Sequence, residues 1–488
     1  MDERDQDLGA IAAGATDRTR RRLPFAAVNL ISDPIHGYVE LSKRLSPADA
    51  RAAGLRDEDV AEDDLLDTAW VQRLRRISQL QSARWVFPTA EHSRFTHGLG
   101  VMHEAGLWAR SLYPTLRASL PGLAPGEPVP SEGLVTETLR IAGLLHDVGH
   151  GPFAHFFDDR FLVGFPAPVD PRRPDAKTLS HEDLSQLVIE HELGPLIRGL
   201  RRAPGAVAER DGFSDGEAID PRWVSFLISK PPLVDASMPG WVRTLQPLLS
   251  GVFTVDNLDY VRRDAYLTGV SMGPVDAERL RRYTFISERG LTLYESGVGA
   301  LEMFLTARLF MYQHVYLHRT VRAIDLDLAE VFAPSIRAVF GDGSPAERLS
   351  AFADLDEYAL LHQAALWARG EHLSAAPIAG DGCVTAEVAD GWRAILLRRP
   401  RWRAEREVHA ETALAVPEWP PGLLAELGEA EPGRVVVDLT GVDARPGAGK
   451  PATLAIEQRD GGPGPSLEEA LARLPAWSLV GRRYRRIG

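Results

Sequence analysis

Apolar positions recur along most of this chain at helical spacing, and only the last fifth changes period. From residue 65, Leu65, Ala69, Leu74, Ile77 and Leu80 line up on one side while Arg73, Arg75 and Arg76 take another, which predicts an amphipathic helix. Similar patterning predicts helices over 137–148, 181–193, 252–266 and 301–324, with more through 344–403 and a helix starting within 91–102. Ser180 and Asp183 have the spacing of an N-cap and its box partner. Residues 28–41 place apolar and β-branched residues on either side of a Pro-Ile-His-Gly turn and predict a hairpin, followed by a charged, partly helical insertion over 42–64. Residues 85–88 read as extended because a residue before proline avoids the helical region, and 121–130 as a Pro/Gly loop. After 417, residues 434–439 are strand-like, 453–457 are expected to pair with them, and 466–474 form a last helix. The fold is therefore expected to be mainly α, with a disordered tail at 1–22, a helical domain over 23–405 and a small α+β region over 406–488.

Composition narrows the function. The 488 residues are 44% hydrophobic and 25% charged, as in an ordinary globular chain able to build a large core. A net charge of −13 argues against non-specific coating of nucleic acid, so no stable nucleic-acid partner is expected. A single cysteine, Cys383, excludes an internal disulfide and a thiolate cage, so any metal must rest on histidine and carboxylate, and a cytoplasmic location fits. No apolar run approaches the ~20 residues that cross a bilayer, and from its acidic N-terminus no export signal is expected.

The chemistry centres on residues 141–155 (IAGLLHDVGHGPFAH), where an apolar run delivers His146 and Asp147 to a helix end marked by Gly149, Gly151 and Pro152. Adjacent residues diverge by about 100° on a helix, so this pair can share one cation only at such an end. His97 lies beside Arg94 at a Gly-rich helix start, and Asp256, Tyr260 and Asp264 follow one another at i+4 steps. Imidazole and carboxylate donors converging from several helices suit a hard or borderline divalent cation. His36 is read as structural, His92, His314 and His318 as structural or surface histidines, and Asp259 as a cap or ion-pair partner. Residues 447–451 (GAGKP) have the outline of a phosphate loop, but Ala444 and Pro451 stand where a glycine and a hydroxyl are required, so they are read as a flexible loop.

The order His97, His146-Asp147, Asp256 resembles the HD-domain metal-dependent phosphohydrolases. The segments DPIHG (33–37), QRLR (72–75), VFP (86–88), HSRFTH (92–97), HDVGHGPFAH (146–155) and Asp259-Tyr260 are similar to the deoxynucleoside triphosphate triphosphohydrolase branch. The resemblance implies an HD-domain helical fold and His97, His146, Asp147 and Asp256 as ligands of a divalent metal, be it Mn, Mg, Fe, Co, Ni or Zn. It further implies His155 with Asp158 near the phosphates, His181 as proton donor to the leaving group and His150 as an inner-site residue. Arg94 and Arg308 would hold phosphate oxygens, Gln79, Tyr260 and Asp264 the sugar 3′-hydroxyl, and Tyr316 would close the 2′ side. Asp67 and Arg75 match positions that bind an activating nucleotide at a subunit interface, where Ser32 replaces an asparagine. A nucleotide substrate and a homo-oligomer, dimer or tetramer, are implied as partners, and no membrane. Asn257 replaces a lysine that touches the terminal phosphates, and Tyr312 a pocket histidine. These departures motivate an alternative, a phosphatase or phosphodiesterase acting on another nucleotide or phosphorylated metabolite. A third reading is a non-catalytic nucleotide- or nucleic-acid-binding regulator.

Overall fold

The computed structural model describes residues 27–53, 59–170, 176–205, 208–229, 235–371, 378–412, 418–446 and 454–487. The tail at 1–22 and the loop at 447–451 lie outside these residues. The predicted hairpin is present: β1 (Val28–Asp33) pairs antiparallel with β2 (Gly37–Ser42). The insertion after it holds two short helices, Pro47–Ala53 and Glu62–Leu66.

The helix expected over 65–80 is broken into Ala69–Arg73 and a single tight turn, Leu74–Arg76, followed by a second tight turn, Gln81–Trp85. Its apolar residues are nevertheless buried, with Leu65, Leu74 and Ile77 fully enclosed. Periodicity reported the inward face correctly but could not see the interruptions, where the Ser78 N–H goes to the Glu357 side chain and the Gln79 N–H to the His92 carbonyl. Residues 85–88 are a turn and not extended, with the Val86 N–H bonded to the Ala83 carbonyl at 2.9 Å.

Helix α1 (Arg94–Leu123) runs past Pro114 and Pro121, so the loop expected from 121 begins later. Helix α2 (Glu132–Leu145) starts earlier than the reading of 137–148 because the Ser131 side chain caps it through the Leu134 N–H, and it ends before the His-Asp pair. Helix α3 (His181–Leu187) opens on the predicted Ser180–Asp183 box and continues as a wider turn over Val188–Glu192. Helix α4 (Val255–Thr268) is capped by Thr254 and stopped by Gly269 in a left-handed conformation, φ +71°.

A second hairpin, β3 (Thr284–Ser287) and β4 (Gly290–Tyr294), interrupts a region read as helical. The stretch expected as one helix over 301–324 is α5 (Val298–Met311), a widened turn at Tyr312–Tyr316, and α6 (Arg319–Phe340). Helix α7 (Glu357–Arg369) follows, capped by Asp356.

The C-terminal strands form one antiparallel sheet in the order β5 (Trp402–Thr412), β8 (Trp477–Arg486), β6 (Val435–Asp443). β5 starts at Trp402, within the span assigned to the helical domain. Two expectations are corrected. Strand β7 (Ala455–Glu457) pairs in parallel with β4 and not with the 434–439 strand. The last helix is only Leu467–Ala470, and the central strand β8 follows it. That strand reads WSLVGRRYRR, whose arginines hide it from hydropathy, yet Arg482 and Tyr484 are buried. The sheet packs on the helices: Trp402 and Tyr484 cluster with Ala323, and Val442 and Val480 with Leu309 and Leu317.

Candidate metal centre and substrate cavity

The three helices α1, α2 and α4 bring four side chains to one point. His97 sits in the first turn of α1, whose start is held by the Arg94 N–H bonded to the Ile77 carbonyl at 2.9 Å. His146 caps α2, and the chain turns at once, the His150 N–H bonding back to the Asp147 carbonyl at 3.1 Å. Gly149 makes that turn possible, since a Cβ there would lie 2.3 Å from both the His181 carbonyl oxygen and the Ser185 nitrogen. Asp256 lies in the first turn of α4.

His97 Nε2 is 3.2 Å from Asp256 Oδ1 and 3.9 Å from Asp147 Oδ2. His146 Nε2 is 3.3 Å from Asp147 Oδ2 and 3.7 Å from Asp256 Oδ1. The other nitrogen of each ring is already taken: His146 Nδ1 meets the Gly143 carbonyl at 2.7 Å, and His97 Nδ1 the Asp259 carboxylate at 2.8 Å. Donation through Nδ1 leaves both Nε2 lone pairs facing the shared point, and His146 Nε2 is buried without a hydrogen-bond partner. Burial opposes a positive charge on His97 while Asp256 and Asp259 favour one, so the carboxylates draw positive charge to this point. Asp147 is buried too, yet Arg94, His146 and His150 hold its carboxyl well below the usual range. Imidazoles and carboxylates in this arrangement fit a divalent cation.

Asp259 is the residue the sequence reading undervalued. It is fully buried on α4 and accepts from His97, from His36 Nε2 at 2.7 Å, and from Arg263 Nε at 2.8 Å. Arg263 also binds Asp33 at 2.7 Å, so the β1–β2 turn supports the centre from behind. The i+4 spacing of Asp259 and Arg263 was a visible signal, but it suits a surface ion pair equally well. Gly100 gives this pair its room, because a Cβ would sit 2.0 Å from Asp259 Oδ1.

A second cluster adjoins the first. His150, fully buried, stacks on His181 with ring centroids 3.7 Å apart, and His155 meets both rings edge-on. His181 Nδ1 hydrogen-bonds to Asp158, and His155 Nδ1 lies 3.6 Å from the same carboxylate. Burial works against the His181 cation, but Asp158 and Glu182 outweigh it and raise the ring to about 9. Burial and the nearby Arg94 keep His150 neutral.

Next to these clusters lies a cavity of about 410 Å³, lined in part by Gln79, Arg94, His155, Tyr260, Asp264 and Tyr316. Asp264 accepts from the Tyr316 hydroxyl at 2.6 Å and meets His92 Nε2 at 2.8 Å, so His92 braces the cavity wall. Arg94 also pairs with Asp147, which places its guanidinium between cavity and metal centre. Arg308 is not in the lining. It stands behind the tyrosines, with Nε on the Tyr260 hydroxyl at 3.3 Å and Nη1 on the Asp443 carbonyl of β6 at 2.8 Å. Tyr312 does line the cavity. So do Ser82, Arg322 and Asp325, which sequence reasoning missed; Arg322 forms a two-pronged pair with Asp438 of β6 at 2.9 and 3.0 Å. Asn257 occupies the third position of α4, and its side-chain oxygen accepts the Thr254 N–H at 2.7 Å, closing a capping box. Asp67 and Arg75 lie away from the cavity and are exposed. Arg75 stacks over Phe95 at 3.6 Å and bonds Gln72 at 2.8 Å.

Residues 94–225, which hold three of the four converging side chains, match the HD domain family. The chain carries an HD domain over these residues. Residues 275–369 match the HD-associated region, so helices α5 to α7 belong to a recurrent extension of the HD domain. A Bacillus subtilis protein, YwfO, is 30% identical over 304 residues, covering 62% of this chain and 54% of that relative. The human deoxynucleoside triphosphate triphosphohydrolase SAMHD1 is 29% identical over 355 residues, covering 68% of this chain and 49% of its own length. The match thus spans about half the length of these curated relatives. Two crystal structures share the fold over 94% of this chain: a hypothetical protein of Aquifex aeolicus (TM-score 0.63, 24% identity, 96% of its chain) and a phosphohydrolase of Bacteroides thetaiotaomicron (0.61, 20%, 100%). Among the described residues, no helix is long and apolar enough to cross a membrane.

Proposed function

We propose that this chain is a metal-dependent phosphohydrolase that converts a deoxynucleoside triphosphate to the deoxynucleoside and inorganic triphosphate. The observation that carries this reading is the placement of Arg94 between a His-Asp metal centre and a polar, tyrosine-walled cavity. His97, His146, Asp147 and Asp256 would hold the cation, which when bound offsets charge at phosphorus and makes water a better nucleophile. The water oxygen bonds to the α-phosphorus and releases a proton to solvent, the bond from that phosphorus to the 5′ oxygen breaks, and the leaving oxygen takes a proton. His181, kept protonated by Asp158, has the charge for that donation, and His155 adds a donor at the cavity mouth. The Arg94 fork suits phosphate oxygens, while Asp264, Tyr260 and Gln79 offer acceptors and donors to a sugar hydroxyl. Tyr316, fixed on Asp264, narrows the same wall.

Incubation with each dNTP and manganese or magnesium, with products resolved by chromatography, tests this. Triphosphate and deoxynucleoside are expected, and release that persists in His146→Ala and Asp147→Ala would sink the assignment. The second reading is favoured by Asn257, whose side chain is engaged in the α4 cap where the resemblance calls for a cation. Arg262 does not replace it, being bound to Glu104 and to the Leu258 carbonyl. Orthophosphate released from a nucleoside monophosphate, with dNTPs intact, would establish that reading instead. Activation through Asp67 and Arg75 belongs to the same proposal and predicts faster turnover when dGTP is added to another dNTP. Assembly into a dimer or tetramer, also part of it, is read by light scattering.

A further inference from the structure

Two segments that carry cavity residues are tied to the first turn of α7 by side chains the mechanism does not use. Glu357 opens that helix and is fully buried. Its Oε1 accepts the Phe153 N–H at 3.0 Å and the Ser78 N–H at 3.2 Å, and its Oε2 lies 3.2 Å from Arg84 Nη2. Phe153 and Ala154 both hold positive φ, +60° and +48°, a conformation costly for residues with a Cβ, and His155 follows at once. Ser78 bridges to Ser93, directly before Arg94, and precedes Gln79. Arg73 makes a parallel tie: its fully buried guanidinium reaches the Leu355 carbonyl at 3.0 Å and the Val148 carbonyl at 3.4 Å. The chain between His146 and His155 is thus held at both ends from one short stretch, 355–357.

We infer that Glu357 is a positioning residue of the active site: one buried carboxylate fixes the strained turn ahead of His155 and the segment ahead of Gln79 and Arg94. This gives the HD-associated region a task, since it supplies the anchor for a loop some 200 residues earlier in the chain. It rests on the function proposed above only for what the positioned residues do. Strain at Phe153 and Ala154 persists because the surroundings over-determine it, and a buried carboxylate that accepts the Phe153 and Ser78 N–H groups is one such determinant. Burial, set against Arg84 and the two N–H donors, raises this carboxyl to about 7; a glutamine keeps the oxygen that accepts both N–H groups and gives up only the contact with Arg84, which it meets with an NH2.

The test is hydrogen exchange on the full chain loaded with manganese, comparing E357A, E357Q and a control, W367A. Trp367 is buried on the same helix but bonds the Gly382 carbonyl, away from both segments. E357A is expected to speed exchange together in peptides covering 76–82 and 148–157, E357Q to leave both near wild type, and W367A to lower the melting temperature without singling out these peptides. With any substrate the wild type turns over, E357A lowers kcat about tenfold or more at unchanged manganese content, and E357Q restores most of it. Unchanged exchange in E357A, or equal loosening in W367A, overturns the inference. A wild type that hydrolyses no dNTP counts against the proposed function alone, because the exchange arm needs no substrate.

Discussion

At the scale of single residues, the charge on His181 depends on Asp158. The ring is raised from 6.5 to about 9, so its stabilising contribution is complete below about pH 6.5 and fades as pH rises through about 9. Asp158→Asn removes the leading favourable partner, and the alkaline limb of the pH–rate profile is expected to move to lower pH; an unmoved limb would show that another group controls it. The metal centre makes a sharper demand. Each of His146→Ala and Asp256→Ala removes one of the converging donors, so bound manganese, measured by elemental analysis after gel filtration, is expected to fall at least tenfold along with activity. His36 and His92, which looked structural in the sequence, do have structural places, but those places brace Asp259 and Asp264 at the site itself.

At the scale of elements, what decides is where helices begin and end. The start of α4 places Asp256 and Asp259, and the Thr254–Asn257 box fixes that start. Asn257→Ala is expected to cost about 1 kcal/mol in denaturant unfolding, by loss of the reciprocal cap, while manganese binding persists. A loss of metal with no loss of stability would instead give Asn257 a direct part in the site. The end of α2 was legible from Gly149 and Gly151, and the box at Ser180 from its spacing. The breaks at 74–81 and 312–316 were not, because residues that contact them come from α7 and from β6 and β8.

Across the whole molecule, the C-terminal sheet is part of the scaffold that shapes the cavity. Strand β6 holds Arg322 through Asp438 and Arg308 through the Asp443 carbonyl, and Trp402 seals the sheet against α6. Trp402→Ala is expected to cost about 3–5 kcal/mol, read from urea unfolding. Because sheet and helices share packing, tryptophan fluorescence and activity are expected to be lost in one transition; separate transitions would show that the sheet folds as an independent unit.

The sequence by itself determined the helical class, the hairpin expected over 28–41, the inward faces of the helices and the four residues that converge between α1, α2 and α4. These are local matters of period, cap and spacing, joined by motifs in a recognisable order. Tertiary structure alone decided that Asp259 orients His97, that Arg308 stands behind the cavity while Arg322 lines it, and that β7 joins β4. It also placed the polar strand β8 at the centre of a sheet. Each of these depends on partners far away in the chain, and a buried hydrogen bond between distant residues leaves no periodic trace in the sequence.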